Sequence, residues 1–162
     1  MRDRYSNSHI VYIRTSCEII RFMMILSVKE QKAGRGMALM LLVTGSAHLI
    51  APGAFNELIP DFLPGAPVLW TYLSGLAELV VAILLLAPFR TKFAGKPLRL
   101  WGAYLALAVF IAVYPANINM AVEWSSRDMP EPLFAYLRLP LQFGLFYWAW
   151  ALAKEFKRIS TR

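Results

Sequence analysis

The chain has 162 residues and a formal net charge of +7; 58% of its residues are hydrophobic and only 17% are charged. This composition is too apolar for an ordinary soluble domain, and the longest apolar runs show no polar face that could meet water. The basic residues cluster in a few segments instead of covering one surface, which argues against nucleic-acid binding. The sequence therefore predicts an all-α integral membrane protein whose main partner is the lipid bilayer.

The N-terminal segment, residues 1–35, is basic and mixes polar residues with short apolar runs. Arg21 interrupts its only signal-like run, so a cleaved signal peptide is not predicted. The segment is interpreted as disordered, as an amphipathic cytoplasmic stretch, or as residues that precede a later start at Met23, Met24 or Met37. No function is assigned to it.

Four segments that follow are apolar enough to cross a bilayer, which takes about 20 residues per helix. They lie at about residues 36–51, 67–87, 98–122 and 133–152, and a basic tail, 154–162, comes after them. Together the four segments predict one membrane domain, residues 36–153, built as a four-helix bundle.

Lysine and arginine are concentrated before the first span, between the second and third spans, and after the fourth span. The other two connections contain only Arg127. Positively charged loops resist translocation, so both termini and the middle connection are predicted to be cytoplasmic, in a multi-pass protein of the cell inner (cytoplasmic) membrane. The first outer connection, "APGAFNELIPDFLPGAP", is rich in proline and is predicted to lie on the outer interface or to fold back as a lid.

Several polar side chains interrupt the spans, and ionisable groups at membrane depth are costly unless they face partners or water. Helical spacing places Glu78 about 16 Å along the second span, near the midplane, and Arg138 about 8 Å into the fourth. The directions of the spans bring six side chains into the outer half of one bundle. These predicted ligand-binding residues are His48, Glu78, Asn117, Asn119, Arg138 and Gln142. No catalytic residue and no metal ligand is assigned.

Each of these residues also has a purely structural interpretation. The three amides can join helices through hydrogen bonds, or satisfy the carbonyls that Pro115 and Pro140 leave without a helical donor. His48 can cap a helix end. Arg138 can form a buried ion pair with Glu78 or extend its guanidinium towards the headgroups.

Four sequence blocks between Gly45 and Trp150 carry a family resemblance. They read "GSAHLIAPGAFNELIPDFLP", "YLSGLAELVVAILLLAPFRTKFAG", "VYPANINMAV" and "LRLPLQFGLFYWAW". The blocks resemble successive signatures of the DoxX-like small integral membrane proteins. The resemblance implies a four-helix membrane protein and associates it with membrane oxidoreductases and quinone chemistry, while distant members do chaperone or cargo-receptor work. It assigns the recurring polar positions to His48, Glu78, Pro115, Asn117, Arg138, Pro140 and Gln142.

The sequence leaves three functions open. The first is a redox-associated subunit that binds a quinone or similar lipophilic small molecule in an outer-leaflet polar pocket. With one histidine and no cysteine in its spans, the chain cannot alone bind a haem from both faces or an iron–sulfur cluster, so it is at most an accessory subunit with a membrane redox partner. The alternatives are a non-enzymatic membrane scaffold or assembly factor, and a small-solute carrier that works as a homo-oligomer.

Overall fold

The computed structural model describes residues 31–161, and 79% of these are helical. Residues Gly34–Arg162 form one compact unit. Expectations for residues 1–30, including Arg21 and the alternative starts at Met23 and Met24, lie outside the described part of the chain. Residues 31–35 are helical.

The elements follow one another in a simple order. They are α1 (Gln31–Ile50), α2 (Gly53–Asn56), α3 (Pro67–Leu86), β1 (Lys92–Phe93), β2 (Lys96–Pro97), α4 (Leu98–Glu123), a 3-10 turn (Trp124–Ser126) and α5 (Glu131–Ser160). Proline stands at the first turn of α3 and of α5, where its missing amide hydrogen costs no helical bond. We call the end of the long helices that carries α2 the lid end. The end that carries β1 and β2 is called the hairpin end.

Within residues 31–161, three helices are long and apolar enough to cross a membrane. They are Gln31–Ile50, Pro67–Leu86 and Leu98–Ser126, with mean hydropathies of 1.3, 2.0 and 1.8. The chain is therefore a membrane-associated helical protein. Large apolar side chains also point outward from the helices, as lipid contact requires; among them are Val43, Ile83, Ile111 and Leu137.

Glycines set the closest approaches between helices. A Cβ atom on Gly75 of α3 would lie 2.7 Å from the Cβ of His48 and 3.0 Å from the Gly45 carbonyl oxygen of α1. A Cβ atom on Gly102 of α4 would lie 2.9 Å from the Cβ of Leu84. Small residues at such contacts allow helix backbones to pack closely, which is how membrane helices gain much of their association energy.

Apolar side chains fill the space between the helices in two regions. Towards the hairpin end, Met37, Leu85, Leu100 and Phe156 are almost fully buried, so all four long helices contribute to this core. Towards the lid end, a smaller cluster is formed by Met120, Ala121 and Ala135, with Leu58, Trp124 and Leu139 packed against it.

The connection between α3 and α4 is a β-hairpin. Ala94 and Gly95 form its two-residue turn with φ values of 49° and 74°. Two consecutive positive φ values are typical of a type I′ turn, whose twist matches the twist of paired strands. The indole of Trp101 donates a 3.0 Å hydrogen bond to the carbonyl of Phe93 and holds the hairpin against α4.

Candidate functional site

A cleft of about 300 Å³ opens near the lid end, between α1, α3, α4 and α5 and beneath the connection from α1 to α3. Its walls are largely apolar, with Met40, Leu41, Phe110, Val113, Leu141 and Leu145 among the lining residues. Seven polar side chains interrupt this surface: Thr44, His48, Ser74, Glu78, Asn117, Arg138 and Gln142. An apolar pocket with a few convergent polar groups is the usual form of a small-molecule site.

Five of the six predicted ligand-binding residues line this cleft. They are His48, Glu78, Asn117, Arg138 and Gln142. Asn119 is not among the lining residues, and its side-chain amide donates a 2.6 Å hydrogen bond to Glu123 one turn along α4. The structure therefore brings residues from α1, α3, α4 and α5 to one cleft and directs Asn119 elsewhere; ligand binding by these residues stays a prediction.

His48 is held by two contacts, one within α1 and one with α2. Its Nδ1 atom lies 2.7 Å from the carbonyl oxygen of Thr44, and its ring stacks on Phe55 with centroids 4.0 Å apart and an interplanar angle of 23°. A carbonyl oxygen only accepts hydrogen bonds, so Nδ1 carries a proton. In the neutral ring, Nε2 is therefore left as an acceptor.

Glu78 is bonded to a neutral partner rather than to a cation. The hydroxyl of Thr44, on the facing helix α1, hydrogen-bonds to its Oε2 atom. Among the residues that the structure describes, no Lys, Arg or His nitrogen lies within 4.0 Å of the Glu78 carboxylate. The Gly45–Gly75 crossing, one residue from Thr44 and one turn from Glu78, sets this short distance between the two helices.

Arg138 lines the same cleft as Glu78 without bonding to it. Its Nη1 atom lies 3.7 Å from the sulfur of Met120, a weak acceptor, and the residue is exposed. The direct Glu78–Arg138 ion pair, one of the two arrangements considered for these residues, is thus not formed. The carboxylate is held back by Thr44, and the guanidinium extends from α5 without reaching it.

Gln142 is the most buried of the polar lining residues, with 5% of its surface exposed. Its Nε2 atom donates a 2.7 Å hydrogen bond to the carbonyl of Phe110, and its Oε1 atom accepts a 3.3 Å bond from Asn117. Sequence reasoning assigned the amides to carbonyls freed by proline, which on α4 is the Ile111 carbonyl, four residues before Pro115. The structure places the bond one residue earlier, because the side chain from α5 reaches the Phe110 carbonyl.

The connection 51–66, which we call the lid, covers one side of the cleft. Phe55, Leu58 and Ile59 of the lid line the cleft directly. Asn56 accepts a 2.9 Å hydrogen bond from the hydroxyl of Thr71, which is fully buried in α3. Of the two arrangements considered for this proline-rich connection, the structure has the one that folds back over the helices.

An ion pair joins the lid to the connection between α4 and α5. Nη1 of Arg127 lies 3.4 Å from Oε2 of Glu57 in the lid and 3.5 Å from Oε2 of Glu131. The guanidinium carbon lies 4.6 Å from the ring centre of Trp124. The side chains of Arg127 and Glu57 are 39% and 69% exposed. Exposed ion pairs contribute little to stability because water and salt screen them.

We expect the substitution Arg127→Gln to lower the free energy of unfolding by no more than about 1 kcal/mol, as for other exposed ion pairs. The measurement is thermal unfolding of the detergent-purified protein at low and high salt, because the contribution of an exposed pair falls as salt screens it. If the free energy of unfolding fell by more than this amount, and equally at low and high salt, Arg127 would hold the lid through its contact with Trp124 instead.

Two features of the site were not predicted from the sequence. The first is the Thr44–Glu78 bond; the signal available was that Thr44 and His48 are four residues apart and so share one face of α1. The second is the stacking of Phe55 on His48, which depends on how the lid folds and leaves no pattern in the sequence.

The fold is that of a helical, membrane-associated protein, and its cleft brings polar side chains together between largely apolar walls. The chain belongs to the family described as "Domain of unknown function (DUF8561)", whose model matches residues 37–153. The matched segment includes every residue of the cleft named above. Comparisons with curated proteins and with solved structures give no match.

Proposed function

We propose that the chain is a four-span helical bundle of the cell inner membrane, with both termini and the hairpin in the cytoplasm and the lid end outside. The charge distribution supports this orientation. The hairpin end carries Arg90, Lys92, Lys96 and Arg99, whereas the lid contains no lysine or arginine. Positive charge is retained on the cytoplasmic side of a membrane.

In this proposal α5 is the fourth span, although Arg138 and Gln142 lower its hydropathy. Both residues line the cleft; Gln142 is buried and bonds to α4, whereas Arg138 is exposed. Other side chains that α5 exposes in the same region, such as Leu137 and Phe143, are apolar. A helix of this kind crosses a bilayer when its polar residues face the interior of a bundle.

The cleft is proposed to bind the polar head of a quinone or a similar lipophilic small molecule. The observation that carries this proposal is the presence of a carboxylate and a guanidinium on one apolar cleft without an ion pair between them. A charge at membrane depth is stabilised only by partners or water. A bound head group supplies such a partner to both, because its oxygens accept from the guanidinium and, in the reduced form, its hydroxyl donates to the carboxylate.

The lining residues offer complementary groups at the two sides of the cleft. Arg138 and the free amide hydrogen of Asn117 can donate to one oxygen of a quinone head. Nε2 of His48 and the Glu78 carboxylate face the cleft from α1 and α3, and either can accept a hydrogen bond from the hydroxyl that the other oxygen carries in the reduced form of the ligand, the quinol. The apolar walls, including Val113 and Leu145, suit the isoprenoid or alkyl part of such a ligand.

The proposed role is that of an accessory subunit in a membrane oxidoreductase, in which a partner membrane protein supplies the redox centre. The resemblance to DoxX-like proteins supports the same reading, since their relatives are associated with quinone chemistry. The polar cleft would then hold the quinone while the partner exchanges electrons with it. The other candidate is a non-enzymatic scaffold or assembly factor, which the Asn117–Gln142 network favours because its bonds join α4 to α5.

The test is organic extraction of the detergent-purified protein, with the quinone content and absorption spectrum measured for wild type, Glu78→Gln and Arg138→Ala. Asn119→Ala is the matched control, since that side chain is polar and on α4 but does not line the cleft. We expect close to one quinone per chain in the wild type and the control, and at least about tenfold weaker retention in each cleft variant, which corresponds to about 1.4 kcal/mol.

Absence of quinone from the wild type, together with cleft variants that are merely less stable, would overturn this proposal. It would favour the scaffold or assembly factor. Release of another lipophilic molecule that is lost in the same two variants would keep the cleft as the site and change only the ligand, towards a small-solute carrier.

A further inference from the structure

The hydroxyl of Thr44 lies between two acceptors. It contacts Oε2 of Glu78, and it lies 3.1 Å from the carbonyl oxygen of Met40, one turn back on α1. A hydroxyl has a single proton to donate and can accept a hydrogen bond in return. The Thr44 hydroxyl therefore cannot donate to both oxygens at once.

The two protonation states of Glu78 each give a complete arrangement of these bonds. When the carboxyl is ionised, the Thr44 hydroxyl donates to Oε2, and the Met40 carbonyl accepts no hydrogen bond from this hydroxyl. When the carboxyl carries a proton, Glu78 donates to the Thr44 oxygen, and Thr44 turns its own proton to the Met40 carbonyl. Rotation of one hydroxyl is sufficient to pass from one arrangement to the other.

The remaining groups around Glu78 leave its protonation open to change. His48 faces the cleft from α1 and Arg138 from α5, while α4 contributes the uncharged Asn117. The lid contributes only the apolar side chains of Phe55, Leu58 and Ile59 to the cleft. Within residues 31–161, neither His48 nor Arg138 forms an ion pair with the Glu78 carboxyl.

We propose that Glu78 is a proton-exchanging carboxyl that gives a proton to, or takes one from, an oxygen of the molecule in the cleft, and that Thr44 is its positioning residue. Thr44 keeps the carboxyl in one place in both states, so proton exchange needs no movement of α1 or α3. This inference rests on the proposed function for the identity of the molecule that exchanges a proton with Glu78. The Thr44–Glu78 pair is itself testable without any ligand.

The experiment is infrared spectroscopy of the full chain in lipid vesicles, recorded across the pH range in which the protein stays folded. The C=O stretching band of the protonated carboxyl is assigned to Glu78 by its absence from Glu78→Gln. We expect this band to appear and disappear with pH in the wild type. In Thr44→Val, which keeps the shape but lacks the hydroxyl, the band should move to higher wavenumber; in Thr44→Ser it should return to the wild-type position.

Three results would overturn the inference: a Glu78 band that is present at every pH, a band that is absent at every pH, or one whose position is the same in Thr44→Val. The quinone measurement is independent of these results. A titrating band that depends on Thr44, in a protein without quinone, would leave Glu78 as a proton-exchanging carboxyl positioned by Thr44, with a molecule other than quinone as its exchange partner, while the proposed function fails. Bound quinone with no titrating Glu78 band would support the proposed function and overturn this inference.

Discussion

The substitution Gly75→Ala is expected to lower the free energy of unfolding by about 1–3 kcal/mol, the usual cost of adding volume to a close-packed contact. The added methyl group would lie 2.7 Å from the Cβ of His48 and 3.0 Å from the carbonyl oxygen of Gly45. Neither atom is the end of a flexible side chain, so α1 and α3 must move apart. That movement would also lengthen the bond between Thr44 and Glu78.

Gly144→Ala is the matched control for this prediction. Gly144 lies in α5, and a Cβ atom built on it meets nothing within 4 Å. Alanine is favoured over glycine in a helix by about 1 kcal/mol, so the control should be neutral or slightly stabilising. The measurement is denaturant or thermal unfolding of both variants in the same detergent.

Equal stability of Gly75→Ala and Gly144→Ala would contradict the close crossing of α1 and α3. A second check is Gly45→Ala, whose Cβ would lie 2.9 Å from the Gly75 carbonyl oxygen. Because both substitutions are relieved by the same separation of the helices, the double variant should lose less stability than the sum of the two single losses.

The substitution Gln142→Leu is expected to lower the free energy of unfolding by about 1–3 kcal/mol, because it removes the buried side-chain hydrogen bond to the Phe110 carbonyl. The side chain of Gln142 joins α5 to α4 through the Phe110 carbonyl and the Asn117 amide. Leucine has a similar volume but offers neither a donor nor an acceptor. The Phe110 carbonyl would then depend on its own helix, which Pro115 interrupts nearby.

Asn119→Leu provides the comparison, since it also replaces a side-chain amide of a long helix by leucine. The Asn119 amide bonds only to Glu123 on the same helix among the described residues, and that bond is exposed. We therefore expect a change within about 0.5 kcal/mol, as for most surface substitutions. If Gln142→Leu proved as mild as Asn119→Leu in unfolding experiments, the bond between α4 and α5 would not be a source of stability.

The helical character of the chain follows from its sequence because long apolar runs and well-placed prolines specify it. Pro67 begins α3, where the sequence places the start of the second span. The ends of α5 differ more from the predicted fourth span. The helix runs from Glu131 to Ser160, whereas the sequence predicts the span at about 133–152. Hydropathy detects the portion suited to lipid, whereas backbone hydrogen bonds continue the helix into charged residues beyond it.

The cleft could be predicted in part, because helical spacing and span direction bring distant residues to the same depth. This reasoning placed His48, Glu78 and Arg138 together, and they do line one cleft. It did not indicate that Glu78 bonds to Thr44 instead of Arg138, because spacing gives the depth of a residue but not the rotation of its helix or the reach of its side chain. The lid contacts depend on a connection without a repeating pattern, so no periodicity could reveal them.

The Gly45–Gly75 crossing also makes part of this chain intolerant of changes in length. On α1 the contact glycine lies among the site residues Thr44 and His48, and on α3 the contact glycine is three residues before Glu78. Each inserted or deleted residue rotates the remainder of a helix by about 100°. A single insertion between the contact glycine and Glu78 would therefore turn the carboxyl away from the cleft while leaving the crossing in place. Homologous chains that keep this site should accordingly vary in length in their connections and not within these two turns.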